Sequence, residues 1–134
     1  MGVAIAAPRG GLAETLAGAR RVLILGNGEI ERFEDQHTGI FTIWAGFQGR
    51  GDEPTATRVR DLVALGLIGG GMADLDADAL VAGLGPDHNP ALFQIAHALV
   101  GVAFYPDAPS DGGDDPEDLP APDPEAEADP AKKP

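Results

Sequence analysis

The chain has no cysteine and a single serine, and these shortages exclude several kinds of chemistry. Without cysteine there is no disulfide, no thiolate metal site and no cysteine nucleophile. The one serine, Ser110, lies in a polar C-terminal segment, where we expect no catalytic serine. Long apolar runs are also missing, since the mildly apolar start of about six residues is too short for a signal peptide or a membrane span. We therefore expect a soluble, cytoplasmic protein without a membrane contact.

Basic residues are few, and their scarcity sets the charge of the chain. Nine Lys and Arg stand against 22 Asp and Glu, which gives a net charge of −13. From Asp107 onward there are ten acids and two lysines, so that segment carries 2 − 10 = −8, and residues 1–106 carry 7 − 12 = −5. Because this charge repels phosphate backbones, we expect no binding to nucleic acid.

Residues 54–71 are predicted to form the central helix. Thr55 or Thr57 can accept a hydrogen bond from a free N–H of the first turn, and the glycines at positions 69–71 end the helix. The small residue Gly66 predicts the close approach of another backbone. Between the two ends, five residues recur at the spacing of one helical face: Val59, Leu62, Val63, Gly66 and Leu67.

The segments before this helix predict a hairpin and two short helices. Alternating residues over 12–16 and the β-prone run 22–25 indicate two strands around Gly18, although helical propensity over 13–21 keeps a helix open as the alternative. Residues 29–36 and Ile40–Phe47 show helical patterns.

Two further helices are predicted after residue 71. Asp74 or Asp76 begins a helix that carries Leu75, Leu80, Val81 and Leu84. The pair Asn89-Pro90 begins the next, because a capping residue precedes a proline at the first helical position. That helix covers residues 91–104 and places Leu92, Ile95, Ala96, Leu99 and Val100 on one stripe.

The C-terminal segment has a different composition from the rest. It holds eight of the twelve prolines, many acids and almost no large apolar residues, so we expect it to be disordered. The predicted organisation is an α+β, mostly helical domain over residues 8–105, with a short N-terminal β-hairpin followed by four to five helices. A disordered, acidic, proline-rich tail over residues 106–134 follows it.

Candidate catalytic and metal-binding groups have simple structural explanations. Asp74, Asp76 and Asp78 resemble the start of a calcium loop, but Ala79 stands where that loop needs glycine and Gly85 where it needs glutamate. The three histidines, His37, His88 and His97, show no ligand spacing. We therefore predict no catalytic residue, no metal site and no cofactor.

The helix Ile40–Phe47 is apolar around most of its circumference. Ile40, Trp44 and Phe47 share one face, whereas Phe41 and Ile43 point elsewhere. A core role is one interpretation, and a surface for a partner or for self-association is the other. Since one sheet layer can cover only one side of such a helix, we expect aromatic area to stay exposed. The predicted partner-binding residues are Ile40, Phe41, Trp44 and Phe47.

The order of signals along residues 9–105 carries a family resemblance. Its parts are Arg9-Gly-Gly with Glu14 and Gly18, the run 23–25, Gly28-Glu-Ile-Glu-Arg-Phe-Glu-Asp, Gly39-Ile-Phe, and residues 59–71 ending in Gly-Leu-Ile-Gly-Gly-Gly. In this order they resemble the gene transfer agent family of small tail proteins. That family is related to siphophage tail assembly chaperones and has also been labelled a phage tail tube protein. The acidic tail is not part of the pattern.

The resemblance implies a small mixed fold without catalysis. In the role that it implies, the protein would be an assembly factor for a phage-like tail. It would bind the tape-measure protein or other tail proteins, in the cytoplasm or on the particle, and keep the tape measure soluble until tube subunits polymerise. The alternative is a structural tail tube protein, although tube subunits need extended β-sheet and this chain offers at most one hairpin. A small enzyme or ligand-binding domain is a third hypothesis, and its mark would be a deep pocket lined by polar groups.

Overall fold

A computed structural model describes residues 7–108, in which two strands precede five helices. The elements are β1 (Gly11–Leu16), β2 (Ala19–Ile24), α1 (Asn27–Gln36), α2 (Ile40–Phe47), α3 (Ala56–Gly69), α4 (Asp74–Ala82) and α5 (Asn89–Phe104), with a 3₁₀ turn (Pro86–His88) before α5. The predicted α+β fold, a hairpin followed by helices, is confirmed. The predicted disordered tail lies outside the described residues, apart from residues 106–108.

The hairpin is closed by a two-residue turn. The strands pair antiparallel from Gly11 opposite Ile24 to Leu16 opposite Ala19. Ala17 and Gly18, between the strands, have φ of 52° and 82°. Two positive φ values give a type I′ turn, whose twist matches that of paired strands. Two strands are therefore present, and the alternative helix over residues 13–21 does not form.

Helix α3 lies at the centre of the core, as the sequence predicts. It packs against β2, α5, α4 and α1. Leu62, Leu67 and Leu99 are among the largest fully buried side chains of the described domain. Burying a leucine side chain of this kind is worth about 1.5–3 kcal/mol. The buried residues of α3 are Val59, Leu62, Val63, Ala64, Leu65, Gly66 and Leu67.

Gly66 makes room for side chains, not for the backbone that the sequence predicted there. A Cβ added at Gly66 would lie 2.5 Å from Cδ2 of Leu99 and 3.1 Å from Cβ of Leu23. Because Gly66 has no Cβ, Leu99 of α5 and Leu23 of β2 can both pack against α3 at this position.

The backbone approach occurs one turn later, at the glycines that end α3. A Cβ on Gly69 would overlap the carbonyl oxygen of Ile24, and one on Gly70 would overlap that of Val22. Strand β2 thus crosses the end of α3 at a distance that only glycine permits. These residues both stop the helix and seat the hairpin on it.

Arg60 joins three helices. Its guanidinium, which projects from α3, donates hydrogen bonds to the carbonyl oxygens of Val81 and Leu84 at the end of α4. It also donates to Oδ1 of Asn89, at 2.6 Å. Free carbonyl groups at a helix end need donors, and a cation there also interacts favourably with the helix dipole. Asn89, predicted to be the cap before α5, is instead the first residue of that helix, and its side chain accepts from Arg60.

Helix α4 is packed through small residues. Ala77 and Val81 face the core, whereas Leu75 is 81% exposed. Its first turn carries Asp74, which forms a 3.1 Å ion pair with Arg32 of α1. Some apolar side chains of α4 therefore pack in the core, whereas Leu75 faces the solvent.

The two ends of the described chain meet. Arg9 donates from Nε and Nη2 to the two carboxylate oxygens of Asp107, each at 2.8 Å. Both side chains are exposed. This hydrogen bond, together with the attraction of opposite charges, raises the pKa of Arg9 and lowers the pKa of Asp107. The segment after α5 therefore leaves the domain beside the start of β1.

Candidate protein-binding surface

Six of the seven aromatic residues lie where α2 packs along α5. Five of them belong to these two helices, and the sixth, Tyr105, directly follows α5. We call this group the aromatic seam. Since the chain has so few aromatic residues, their concentration at one helix pair is the most distinctive feature of the described domain. The members of the aromatic seam are Phe41, Trp44, Phe47, Phe93, Phe104 and Tyr105.

One end of the aromatic seam is closed. Phe47 is 7% exposed and meets Phe93 edge to face, with ring centroids 5.1 Å apart. On the other side it stacks on His97, at 5.3 Å and 4° between the planes. Nε2 of His97 lies 3.1 Å from Oε1 of Gln48, which follows α2. This end is a packed joint between the two helices.

A glycine in α5 accommodates the middle of the aromatic seam. A Cβ on Gly101 would lie 3.5 Å from Cη2 of Trp44. The indole therefore lies against the backbone of α5, with His97 at 5.6 Å on one side and Phe104 at 5.5 Å on the other. Trp44 is half-buried as a result.

The other end of the aromatic seam is open to solvent. Phe41 is 76% exposed and Tyr105 is 58% exposed, and both are close to the half-buried ring of Phe104, at 5.6 and 6.4 Å. Trp44 also approaches Tyr105, at 6.3 Å. The four rings thus form one contiguous surface, a type of feature that often marks an interaction site. The open end comprises Phe41, Trp44, Phe104 and Tyr105.

The four predicted partner-binding residues divide between core and surface. Ile40 and Phe47 are buried, together with Ile43. Phe41, which the helical spacing placed away from the predicted face, is the most exposed of the four. Helices α1 and α5, not the sheet, cover one side of α2, and Phe41 stays exposed on the other side, as expected. In the described structure the accessible residues are Phe41 and part of Trp44.

Sequence reasoning missed Phe104 and Tyr105. A signal was present in α5: Phe93, His97, Gly101 and Phe104 recur at intervals of four, four and three residues, which is a second stripe on that helix. The more apolar stripe of α5 is the one that faces α3. His97 lies in the seam between the rings of Trp44 and Phe47.

The polar side chains near α2 support the fold. Nε2 of His37, at the end of α1, lies 2.8 Å from Oδ2 of Asp61 in α3, and both side chains are largely covered. Oε2 of Glu34 accepts a 2.8 Å hydrogen bond from the N–H of Ile40, at the first residue of α2. Since Gly39 has no side chain to cap this helix, the carboxylate of α1 does so. Each of these polar groups holds two helices together.

A depression of about 370 Å³ lies where α3 meets the start of α5. Its walls include Val59, Pro90 and Phe93, with Glu53 and Gln94 as polar neighbours. The lining brings one carboxylate, from Glu53, and two amides, from Asn89 and Gln94, next to apolar side chains. It adjoins the closed end of the aromatic seam through Phe93.

Within residues 7–108, no cluster of His, Cys, Asp or Glu has the composition to hold a metal ion. Among the helices of that part of the chain, none combines the length and the apolar character of a membrane span. No protein-family model matches the sequence, and comparisons with curated proteins and with solved structures also gave no match.

Proposed function

We propose that this protein is a non-enzymatic assembly factor that acts by binding another protein. The observation that supports the proposal is the open end of the aromatic seam. Phe41 and Tyr105 expose large apolar area on a chain of net charge −13. Aromatic side chains are frequent energetic anchors of protein interfaces, since they bury much area with few rotatable bonds.

The resemblance to the gene transfer agent family of small tail proteins supplies the identity of the partner. In this proposal the protein binds the tape-measure protein, or other tail proteins, in the cytoplasm and keeps the tape measure soluble until the tail tube forms. A long helical partner suits the open end, because an amphipathic helix docks by placing its apolar stripe on an apolar surface.

We propose no catalytic role. The titratable side chains that the fold brings together each have a structural partner: His37 lies against Asp61, Glu34 caps α2, and Arg60 binds the end of α4. Each of these groups connects two helices and so has a structural role.

The alternative function is that of a structural tail tube protein. The hairpin favours it, because the edge of β1 that does not pair with β2 could be extended by another copy. Rings of tube subunits need more sheet than one hairpin supplies, so we rank this function second. A count of many copies in purified particles would reverse the ranking.

Co-expression tests the assembly function. The tape-measure gene of the same gene cluster is expressed alone and together with this protein, and soluble tape measure is quantified. We expect a soluble complex with the natural chain and with Leu75→Ala, and loss of the complex with Phe41→Ala. The two variants are matched, since each removes an exposed apolar side chain from a helix surface. Equal insolubility with and without this protein would refute the proposal.

A further inference from the structure

The depression between the start of α3 and the start of α5 contains a carboxylate whose charge is not compensated. Glu53 lines it, and the ion pairs found among residues 7–108 do not include this carboxylate. The amide of Gln94 also lines the depression, and both residues are exposed. Two accessible oxygen acceptors therefore flank a concave surface.

The apolar walls of the depression suit the stem of a long cationic side chain. Pro54 and Val59 are buried, and Phe93 is half-buried with its ring on the lining. Apolar walls of this kind cover the methylene groups of an arginine side chain. Its planar guanidinium stacks on aromatic rings and binds a carboxylate through two parallel hydrogen bonds, which the ammonium group of lysine cannot do.

The charges around the depression favour a cation as its occupant. Arg60 donates to Asn89, another lining residue, but the carbonyl oxygens of Val81 and Leu84 hold the same guanidinium at the end of α4. It forms no ion pair with Glu53. Residues 7–108 contain seven bases and 13 acids, so this part of the chain carries 7 − 13 = −6 and attracts positively charged partners.

An exposed flank of α5 connects the depression to the open end of the aromatic seam. Gln94, Ala98 and Tyr105 are exposed and follow one another at intervals of four and seven residues, so they share one side of the helix. The 11 positions from Gln94 to Tyr105 correspond to about 16 Å at the helical rise per residue. Because α5 contains no Asp, Glu, Lys or Arg, a partner helix on this flank reaches both features without meeting another charge of α5.

We propose that the depression binds an arginine side chain of the partner helix that rests on the open end of the aromatic seam. The guanidinium pairs with Glu53 and lies against Phe93, while apolar side chains of the same helix contact Phe41 and Tyr105. Since about 11 residues make three helical turns, the arginine of the partner lies about 11 positions from an apolar contact and on the same face. The inference rests on the proposed binding function and specifies one residue of the segment that is bound.

The experiment uses the full chain and three synthetic helical peptides without tryptophan. The first has two leucines at one end and an arginine about 11 positions away on the same face. The second has citrulline, which is neutral and has nearly the same shape, in place of arginine. The third has the arginine moved by two positions, which turns it about 200° around the helix. Emission of Trp44, the only tryptophan of the chain, reports binding at the open end, and the amide NMR signal of Gln94 reports the depression. We expect the first peptide to bind about fivefold more tightly than the others, as suits a bidentate, partly covered ion pair.

Two protein variants test whether Glu53 causes the preference for arginine. Glu53→Gln keeps the shape of the side chain and removes its charge, so it should bind the arginine and citrulline peptides equally. Asp52→Asn is the matched control, because it removes a carboxylate from the preceding exposed residue, which does not line the depression. This control should keep the fivefold preference of the natural chain. Circular dichroism verifies that both variants keep their helices.

Four results would overturn the inference. They are equal binding of the arginine and citrulline peptides by the natural chain, a preference for arginine that Glu53→Gln retains, no binding of any peptide, and a dimer in sedimentation that Glu53→Gln dissociates. The last result would make a second copy of the chain the occupant. If the preference for arginine is absent but the tape measure is solubilised, this inference fails and the assembly function stands. If the preference is present and the tape measure stays insoluble, the reverse holds.

Discussion

The ring of Trp44 in α2 meets the ring of Phe104 in α5 edge to face, with centroids 5.5 Å apart and 66° between the planes. This geometry suits aromatic pairs, because the positive ring edge of one faces the negative ring face of the other, and it is worth about 0.5–1.5 kcal/mol beyond area burial. The pair joins helices that are separated by more than forty residues in sequence. Both rings belong to the open end of the aromatic seam.

Replacing Phe104 with alanine should expose Trp44 and loosen the end of α5. We expect a loss of about 1–3 kcal/mol in the free energy of unfolding, less than for a fully buried phenylalanine, because Phe104 is half-buried. Tryptophan emission should shift to longer wavelength and become easier to quench. Phe41→Ala is the control, since the exposed Phe41 should leave both stability and emission nearly unchanged. Identical emission from Phe104→Ala and the natural chain would contradict the contact.

A methyl group at Gly69 should separate the hairpin from α3. The new Cβ would collide with the carbonyl group of Ile24, a backbone atom that cannot rotate away. We expect Gly69→Ala to destabilise the fold by about 1–3 kcal/mol or more, as measured by urea unfolding. Gly28→Ala is the matched control: it also adds one methyl group within a helix, but nothing lies within 4 Å of it. Two variants of equal stability would mean that β2 does not cross α3 at this point.

Removing the guanidinium of Arg60 should release the end of α4 and the start of α5 together. Arg60→Ala leaves two carbonyl oxygens and the Asn89 side chain without their donor, so we expect a loss of about 1–3 kcal/mol. Amide hydrogen exchange should accelerate in α4 and in the first turn of α5. Arg20→Ala removes the same charge from an exposed position of β2 and should have little effect. Unchanged exchange in α4 would contradict the bridging role.

The ion pair between Arg9 and Asp107 predicts a pH dependence at acid pH. The pKa of Asp107 is lowered below its usual value of 3.8 in the folded protein, so its contribution is present above pH 3.8 and is lost as pH falls through the folded-state pKa. The melting temperature of the natural chain should exceed that of Asp107→Asn slightly at neutral pH, and the difference should vanish in strong acid. Exposure of both side chains and added salt keep the effect small. Arg9→Gln should remove the same pH dependence.

The features of the fold that were predicted from the sequence depend on neighbours within a few residues. The oxygen of Thr55 accepts from the N–H of Arg58, three residues away, and α3 begins directly after Thr55. The helix Ile40–Phe47 has the predicted bounds, because Gly39 and the loop after Phe47 interrupt the helix pattern locally. The hairpin also follows from local preferences, namely a glycine at the turn and a β-prone second strand.

The features that sequence reasoning missed depend on residues far apart in the chain. Periodicity tells which side chains share a face of a helix, but it does not tell which face a distant element will cover. Phe41 and Leu75 are exposed for this reason, whereas Ile40 is buried. The aromatic seam exists only because α2 packs along α5, and no short-range signal in either helix specifies that pairing. Arg60 and Asn89 are likewise 29 residues apart.

The meeting of Arg9 and Asp107 makes the domain suitable for circular permutation. Cβ of Pro106 lies 4.0 Å from the position that a Cβ on Gly10 would take, so a short glycine linker can join the two ends of the domain. New ends can be opened at Gly49, in the exposed loop at the opposite end of α2 from Phe41. In such a permutant the acidic segment would start from a different corner of an otherwise unchanged domain. Position and composition of that charge could then be varied separately, which no truncation allows.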